Sequence, residues 1–281
     1  MSYIGRHLSV AKIGINGVIK KSIDNGLLTT QIFIGPPQAT TLSKINDKEK
    51  KEIKELISEN NFVLNIHGKY LYNLSKTFEP DGWTIKTLEK ELLLGDSIGG
   101  SNLIIHMGKM VKLNKETAGT NFITSVKHIT KFIKDNNLNI NLSLEVATGQ
   151  GTEMFYQVEE FCQMFNSFTD EEKKHLSVTI DTCHAFSAGH NLNTETDKYI
   201  KCIKRLIGLQ YIQVIHLNGS KVECGAKKDR HSNLNEGFIK YEILKKWTKF
   251  GLDNNIMIIC ETPNNDDDGI KECLQLIEDV K

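Results

Sequence analysis

The sequence predicts an α/β protein of the (β/α)8, or TIM-barrel, class, folded as one domain over residues 1–281. Three observations predict it. Eight short β-rich apolar runs are spread along the chain. The segments between them are long enough for helices and carry apolar residues at helical spacing. Seven of the eight runs finish at or near a histidine or a carboxylate. In a barrel those strand ends converge on one face, where the active sites of this class lie.

In chain order the runs are YIGRHLS (3–9), TTQIFIG (29–35), FVLNIHG (62–68), NLIIHMG (102–108), INLSLEV (140–146), LSVTIDT (176–182), YIQVIHLN (211–218) and NIMIICET (255–262). Their nearly unbroken apolar character suits strands buried on both faces, as in a parallel sheet. Seven further segments read as helices, six between runs and one after the last. Residues 47–60 place Ile53, Leu56 and Ile57 at helical spacing behind Asp47, the candidate N-cap. Residues 84–94 set Ile85, Leu88 and Leu92 on one side, and 118–132, 153–165, 195–207, 238–247 and 268–277 read similarly. Strand and helix alternate with no internal repeat, low-complexity stretch or linker, which points to a single barrel.

Bulk properties exclude some functions. With 35 basic and 35 acidic residues the net charge is zero, so the chain is not a globally basic nucleic-acid binder. A local basic face remains compatible with that balance. The N-terminal MSYIGRHLSV has no apolar core and no small-residue cleavage site, so no signal peptide is expected. No run approaches the roughly 18 apolar residues of a membrane span. The six cysteines (Cys162, Cys183, Cys202, Cys224, Cys260, Cys273) form no C-x-x-C pair, and a reduced, intracellular state is expected.

The strand-end residues are His7, His67, His106, Glu145, Asp181, His216 and Glu261. His184 lies just past the sixth run, and Asp229 and His231 lie after the seventh, in KKDRH. One histidine at a strand end is ordinarily a satisfied polar residue. A whole ring buried without partners would be strongly unfavourable, so its members need one another or a metal. Imidazole and carboxylate donors fit zinc, manganese or iron better than calcium. Without His7 there are nine candidates, more than one metal requires. Cys183 and Cys260 stand beside candidates but read as packing residues, and His128, His175 and His190 read as surface or loop residues.

These residues lie in segments that resemble the endonuclease IV family of apurinic/apyrimidinic (AP) endonucleases over nearly the whole chain. The matching segments are YIGRHLS, LEVATGQG, IDTCHAFSAG, HLN with DRH, and the final ETP. HGKYL and ECGAKKDRH look closer to DNA-virus-encoded members. The resemblance implies a zinc-dependent barrel enzyme acting on damaged DNA, with three Zn2+ per chain and Mn2+ as a substitute. His67, His106 and Glu145 would hold one zinc. Glu145 would bridge to a second, held also by Asp181, His216 and Glu261, and His184, Asp229 and His231 would hold the third. The implied reaction is hydrolysis of the phosphodiester 5′ to an abasic site, leaving a 3′-hydroxyl and a 5′-deoxyribose phosphate, with trimming of blocked 3′ ends beside it. Glu145 and Glu261 are the implied catalytic residues, and Tyr70 and Leu71 the pair entering the duplex.

The segment IFIGPPQATT departs from the family, with Gln38 near the place of a DNA-inserting arginine; Met107, Gly219, Ser232 and Asn235 depart as well. None removes a ligand. Arg6, Lys12, Lys69, Lys109, Lys112, Lys221, Lys227, Lys228 and Arg230 lie in or beside predicted rim loops and are the candidate phosphate contacts. The expected partner is double-stranded DNA containing abasic sites, with no membrane association. A monomer in cytoplasm or nucleus, or in a virion for a virus-encoded chain, is expected. The alternative is a metal-dependent sugar isomerase or epimerase on the same barrel. A metal-bearing barrel that binds damaged DNA without cutting it is a third reading.

Overall fold

The computed structural model describes residues 3–281. Along the chain the strands are β1 (Ile4–His7), β2 (Thr29–Ile32), β3 (Val63–His67), β4 (Gly100–His106), β5 (Asn141–Glu145), β6 (Leu176–Asp181), β7 (Ile212–His216), β8 (Gly219–Ser220), β9 (His231–Ser232) and β10 (Met257–Cys260). Eight of them close a parallel barrel in the order β1-β10-β7-β6-β5-β4-β3-β2, while β8 and β9 pair as a small antiparallel ladder in the loop after β7. The barrel strands coincide with the eight apolar runs, although β4 starts at Gly100 and β2 stops at Ile32.

The outer layer comprises α1 (Gly14–Asp24), α2 (Asp47–Glu59), α3 (Trp83–Ser97), α4 (Lys115–Asp135), α5 (Val158–Phe165), α8 (Leu192–Leu206), α9 (Tyr241–Asp253) and α10 (Asp266–Val280). Two shorter helices are α6 (Asp170–Lys173) and α7 (Thr182–Ser187). Sequence periodicity does not reveal α1. Its segment opens GINGVIK, and two glycines in the first turns lower helix propensity. Burial of Ile15, Val18 and Ile19 against the barrel outweighs that. The expected helix at 153–165 starts only at Val158, since Phe155 takes a positive φ of 56°. Asn46, not Asp47, caps α2, in a capping box with Glu49.

Alternation along each strand sends every second side chain into the barrel. Ile104, Val214, Met257 and Ile259 pack there as a separate apolar cluster. Ile104, Val214 and Ile259 each precede a ring residue by two positions, so the cluster is the floor beneath His106, His216 and Glu261. Elsewhere the floor is polar and paired: Asn65 donates to Thr29 (3.2 Å), Asn102 to Asn65 (3.0 Å), and Ser143 pairs with Thr179 (2.7 Å).

Candidate metal centre

The ring above that floor has one member per barrel strand. Register places His7 opposite Gln31, His106 opposite Glu145, and Asp181 opposite His216; His67 and Glu261 complete it at the ends of β3 and β10. Gln31 is the member that sequence reading misses, because an amide is not a typical ligand and the second apolar run continues past the true end of β2.

His184 is brought in by α7, and Asp181 is the reason α7 starts there. Asp181 Oδ1 accepts from the His184 backbone N–H at 2.8 Å, capping the helix, while Oδ2 accepts from Asn218 Nδ2 at 2.7 Å. Asp229 and His231 arrive on the loop after β7. That loop is fastened to α7 through Ser187, which exchanges hydrogen bonds of 2.8 Å with both backbone groups of Lys228. Gln150 accepts from Asp229 N–H at 3.1 Å.

All nine proposed ligands come together. Three sets, His67–His106–Glu145, Glu145–Asp181–His216–Glu261 and His184–Asp229–His231, each offer ligand atoms within 4.8 Å of one another. Cys183 also lies within that reach of Asp181 and His231, although it is fully buried. Glu145 belongs to two sets: Oε2 faces His106 (3.3 Å) and His67 (3.7 Å), and Oε1 faces His216 (2.8 Å) and His184 (3.4 Å).

Four of the proposed histidine ligands are oriented from behind. His67 Nδ1 donates to Gly68 O (2.8 Å), His184 Nδ1 to Val146 O (2.9 Å), His231 Nδ1 to Glu261 O (3.1 Å), and His216 Nε2 to Gln31 Oε1 (2.8 Å). Each bond commits one ring nitrogen and turns the other inward, the arrangement by which outer groups orient metal ligands. Gln31 also donates to Glu261 Oε1 (2.6 Å) and to His7 Nδ1 (3.0 Å), so it ties three ring members together.

The donor set suits a metal. Glu145 Oε2, His184 Nε2 and His231 Nε2 are buried inside the ring without hydrogen-bond partners. Buried polar atoms are rarely left so. A void of about 10 Å³, room for roughly one small sphere, lies among His106, Glu145, His184 and Asp229. Within the ring the acids and the histidines shift one another's protons. Burial pushes Glu145 up, but the charges of His216 and His106 override it and hold the acid at about 2. Burial pushes His216 down, and Glu261 and Glu145 raise it to about 9. His184 and His231 are raised well above normal by Asp181 and Asp229 despite burial, whereas burial and His106 lower His67 to about 4.

A cavity of about 610 Å³ opens beside the ring, lined by His7, Phe33, Pro36, Tyr70, His231 and Glu261 among others. Glu145 and Asp181 are sealed, while the Glu261 and Asp229 side chains keep 13% and 37% exposure. Tyr70 is 51% exposed and Leu71 38%. Lys12 and Arg230 are exposed on rim loops, as are Lys109, Lys112, Lys221, Lys227 and Lys228. Two of the expected phosphate contacts are corrected. Arg6 is buried and donates to Thr262 O and Asn264 O, and Lys69 is buried and donates to Pro36 O and Thr41 O. The backbone carbonyls of neighbouring loops draw both cations inward.

Comparison with known proteins shows the fold and the family. The family model described as the xylose isomerase-like TIM barrel matches residues 19–280. A protein of Pediococcus pentosaceus named "Probable endonuclease 4" is 34% identical over 264 residues, 92% of this chain and 87% of its own length. A relative from Acanthamoeba polyphaga mimivirus, likewise named for endonuclease 4, is 34% identical over 92% of this chain and 85% of its own. The crystal structure of endonuclease IV from Thermus thermophilus shares the fold at a TM-score of 0.83 and 24% identity, covering 99% of both chains. No helix of the described residues is long and apolar enough to cross a membrane. The chain belongs to the endonuclease IV family of TIM-barrel enzymes.

Proposed function

We propose that this protein is a zinc-dependent AP endonuclease that hydrolyses the phosphodiester 5′ to an abasic site, leaving a 3′-hydroxyl and a 5′-deoxyribose phosphate. His67, His106 and Glu145 would hold one zinc; Glu145, Asp181, His216 and Glu261 a second; His184, Asp229 and His231 a third. Bound there, zinc supplies Lewis-acid charge that makes water acidic and neutralises phosphate oxygens.

The protein's own groups do the rest. The sealed Glu145 holds two ligand sets at a constant spacing. Glu261 is the ring carboxylate lining the open cavity, so it is the one suited to orient a water and hold its proton beside the incoming phosphate. Tyr70 and Leu71 stand exposed three and four residues after His67. In that position they can fill the space left by a missing base, and an abasic step is easier to open than a stacked one. Lys12 and Arg230 extend the contact to phosphates.

The observation that carries the reading is the division of Glu145, one oxygen toward each ligand set. Barrels of this shape also serve sugar isomerisation, and the third set, with Asp229 and His231, is what such a site would not need. Incubating the protein with duplex DNA bearing one abasic site, and separately with ketose sugars, tests both. Single-site nicking that stops with a chelator and returns with zinc supports the proposal. Epimerisation without nicking would replace it.

A further inference from the structure

We propose that Lys69 is a positioning residue that locks the loop after β2 and the loop after β3 into one rigid DNA-gripping unit. The inference rests on the reading of Tyr70 and Leu71 as DNA-contacting residues.

A lysine on the rim of a DNA-facing site ordinarily sends its ammonium outward, toward water or phosphate. Lys69 does the opposite. It is 3% exposed, whereas Tyr70 and Leu71, its successors, are 51% and 38% exposed. Its Nζ donates to Pro36 O at 3.0 Å and to Thr41 O at 2.9 Å. Those carbonyls bracket the turn that carries Gln38. The next residue continues the tie, since Tyr70 N–H donates to Pro37 O at 3.1 Å. The Tyr70 ring meets Phe33 of the same loop edge to face, with centroids 5.4 Å apart. Gly35 leaves the room this requires. A Cβ there would stand 2.5 Å from Thr41 O and 2.9 Å from Lys69 Nζ.

The far side of the loop is anchored separately. Tyr72 turns inward and its hydroxyl donates to Glu91 Oε2 at 2.6 Å, on α3. Glu91 is fully buried. The four residues 69–72 therefore differ in purpose. Lys69 is tied to the neighbouring loop and Tyr72 to α3, while Tyr70 lines the cavity and Leu71 stands exposed. A loop held this way loses little further freedom when it meets DNA, so more of its contact energy appears as affinity. A backbone carbonyl carries no sequence signature, which is why the residue reads as an ordinary rim cation from sequence.

The test combines amide hydrogen exchange with steady-state incision of abasic duplex by the metal-loaded protein. In Lys69→Met, exchange across residues 35–43 should accelerate and KM for abasic duplex should rise about tenfold. Metal content should not change, and kcat should stay within about twofold. Lys69→Arg retains donors and should recover most of the affinity. Gly35→Ala would press a Cβ against both Thr41 O and the ammonium and should act in the same direction as Lys69→Met. Unchanged exchange and unchanged KM in Lys69→Met would overturn the proposal. Should Lys69→Met not fold, Lys69→Leu, which likewise removes the donors, decides, and wild-type exchange and KM in that variant would overturn it equally. If the wild-type protein does not cut abasic DNA, the functional reading fails, and exchange across 35–43 alone then decides whether the brace exists.

Discussion

The ring of strand-end side chains and the loops above it are held in place by different means. The ring sits on adjacent parallel strands, so β register sets the spacing of His106 against Glu145 and of Asp181 against His216. Most of its members are buried, and they are oriented by Gln31, Asn218 and backbone carbonyls. The rim carries its exposed Tyr70 and Leu71 on loops with no ladder, secured by a few bonds such as those of Lys69. Labour is divided accordingly. Under the proposed function, chemistry would reside where the fold leaves little freedom, and substrate choice where a few side chains decide the shape.

Substitutions that remove ring ligands should separate the two regions most sharply. Glu145→Ala should lower kcat on abasic DNA on the order of 10³-fold and reduce metal content, because one carboxylate serves two ligand sets. Binding of abasic duplex, measured by fluorescence anisotropy, should fall far less. Comparable losses in both would erase the distinction between ring and rim.

Gln31→Leu removes the orienting amide without removing a ligand. Metal affinity, read by chelator competition, should drop about 10- to 100-fold, while the rim is untouched. An unaltered affinity would mean that His216 and Glu261 are held by register alone.

Tyr70→Ala combined with Leu71→Ala should weaken binding to abasic duplex by about tenfold and narrow its preference over intact duplex, as stacking contacts of this size predict. Metal content should not move. Retained lesion preference with a large loss of melting temperature would make these two residues rim packing instead.

A smaller effect concerns pH and the ring alone. The His216 proton, held up to about 9, contributes stability to the metal-free fold that is complete below the ordinary 6.5 and lost as pH rises through 9. Metals must displace that proton. The gap in melting temperature between loaded and chelator-stripped protein should therefore widen by a few degrees between those pH values. A gap that narrows would contradict the exchange of protons for metal.

The ring is largely legible in the sequence because barrel strands announce themselves as apolar runs, and their polar endings are conspicuous. IDTCH shows both a strand end and a proposed ligand pair, although the helix-capping duty of Asp181 becomes visible only when His184 N–H meets it. Gln31 is hidden because TTQIFIG continues apolar beyond β2, which places the strand end too late. Helix α1 is hidden by glycines whose cost is offset by burial of Ile15, Val18 and Ile19. Arg6 and Lys69 mislead for one shared reason. Their acceptors are carbonyls of residues distant in sequence, and any residue type supplies a carbonyl.

If the three ligand sets, two of them sharing Glu145, form one multinuclear centre, the metals can be counted. Protein purified without chelator should carry about three metal ions per chain, mainly zinc, by elemental mass spectrometry against amino-acid analysis. Glu145→Ala should lower that number. A reproducible single equivalent in the wild-type protein, unchanged in Glu145→Ala, would rule out a shared centre.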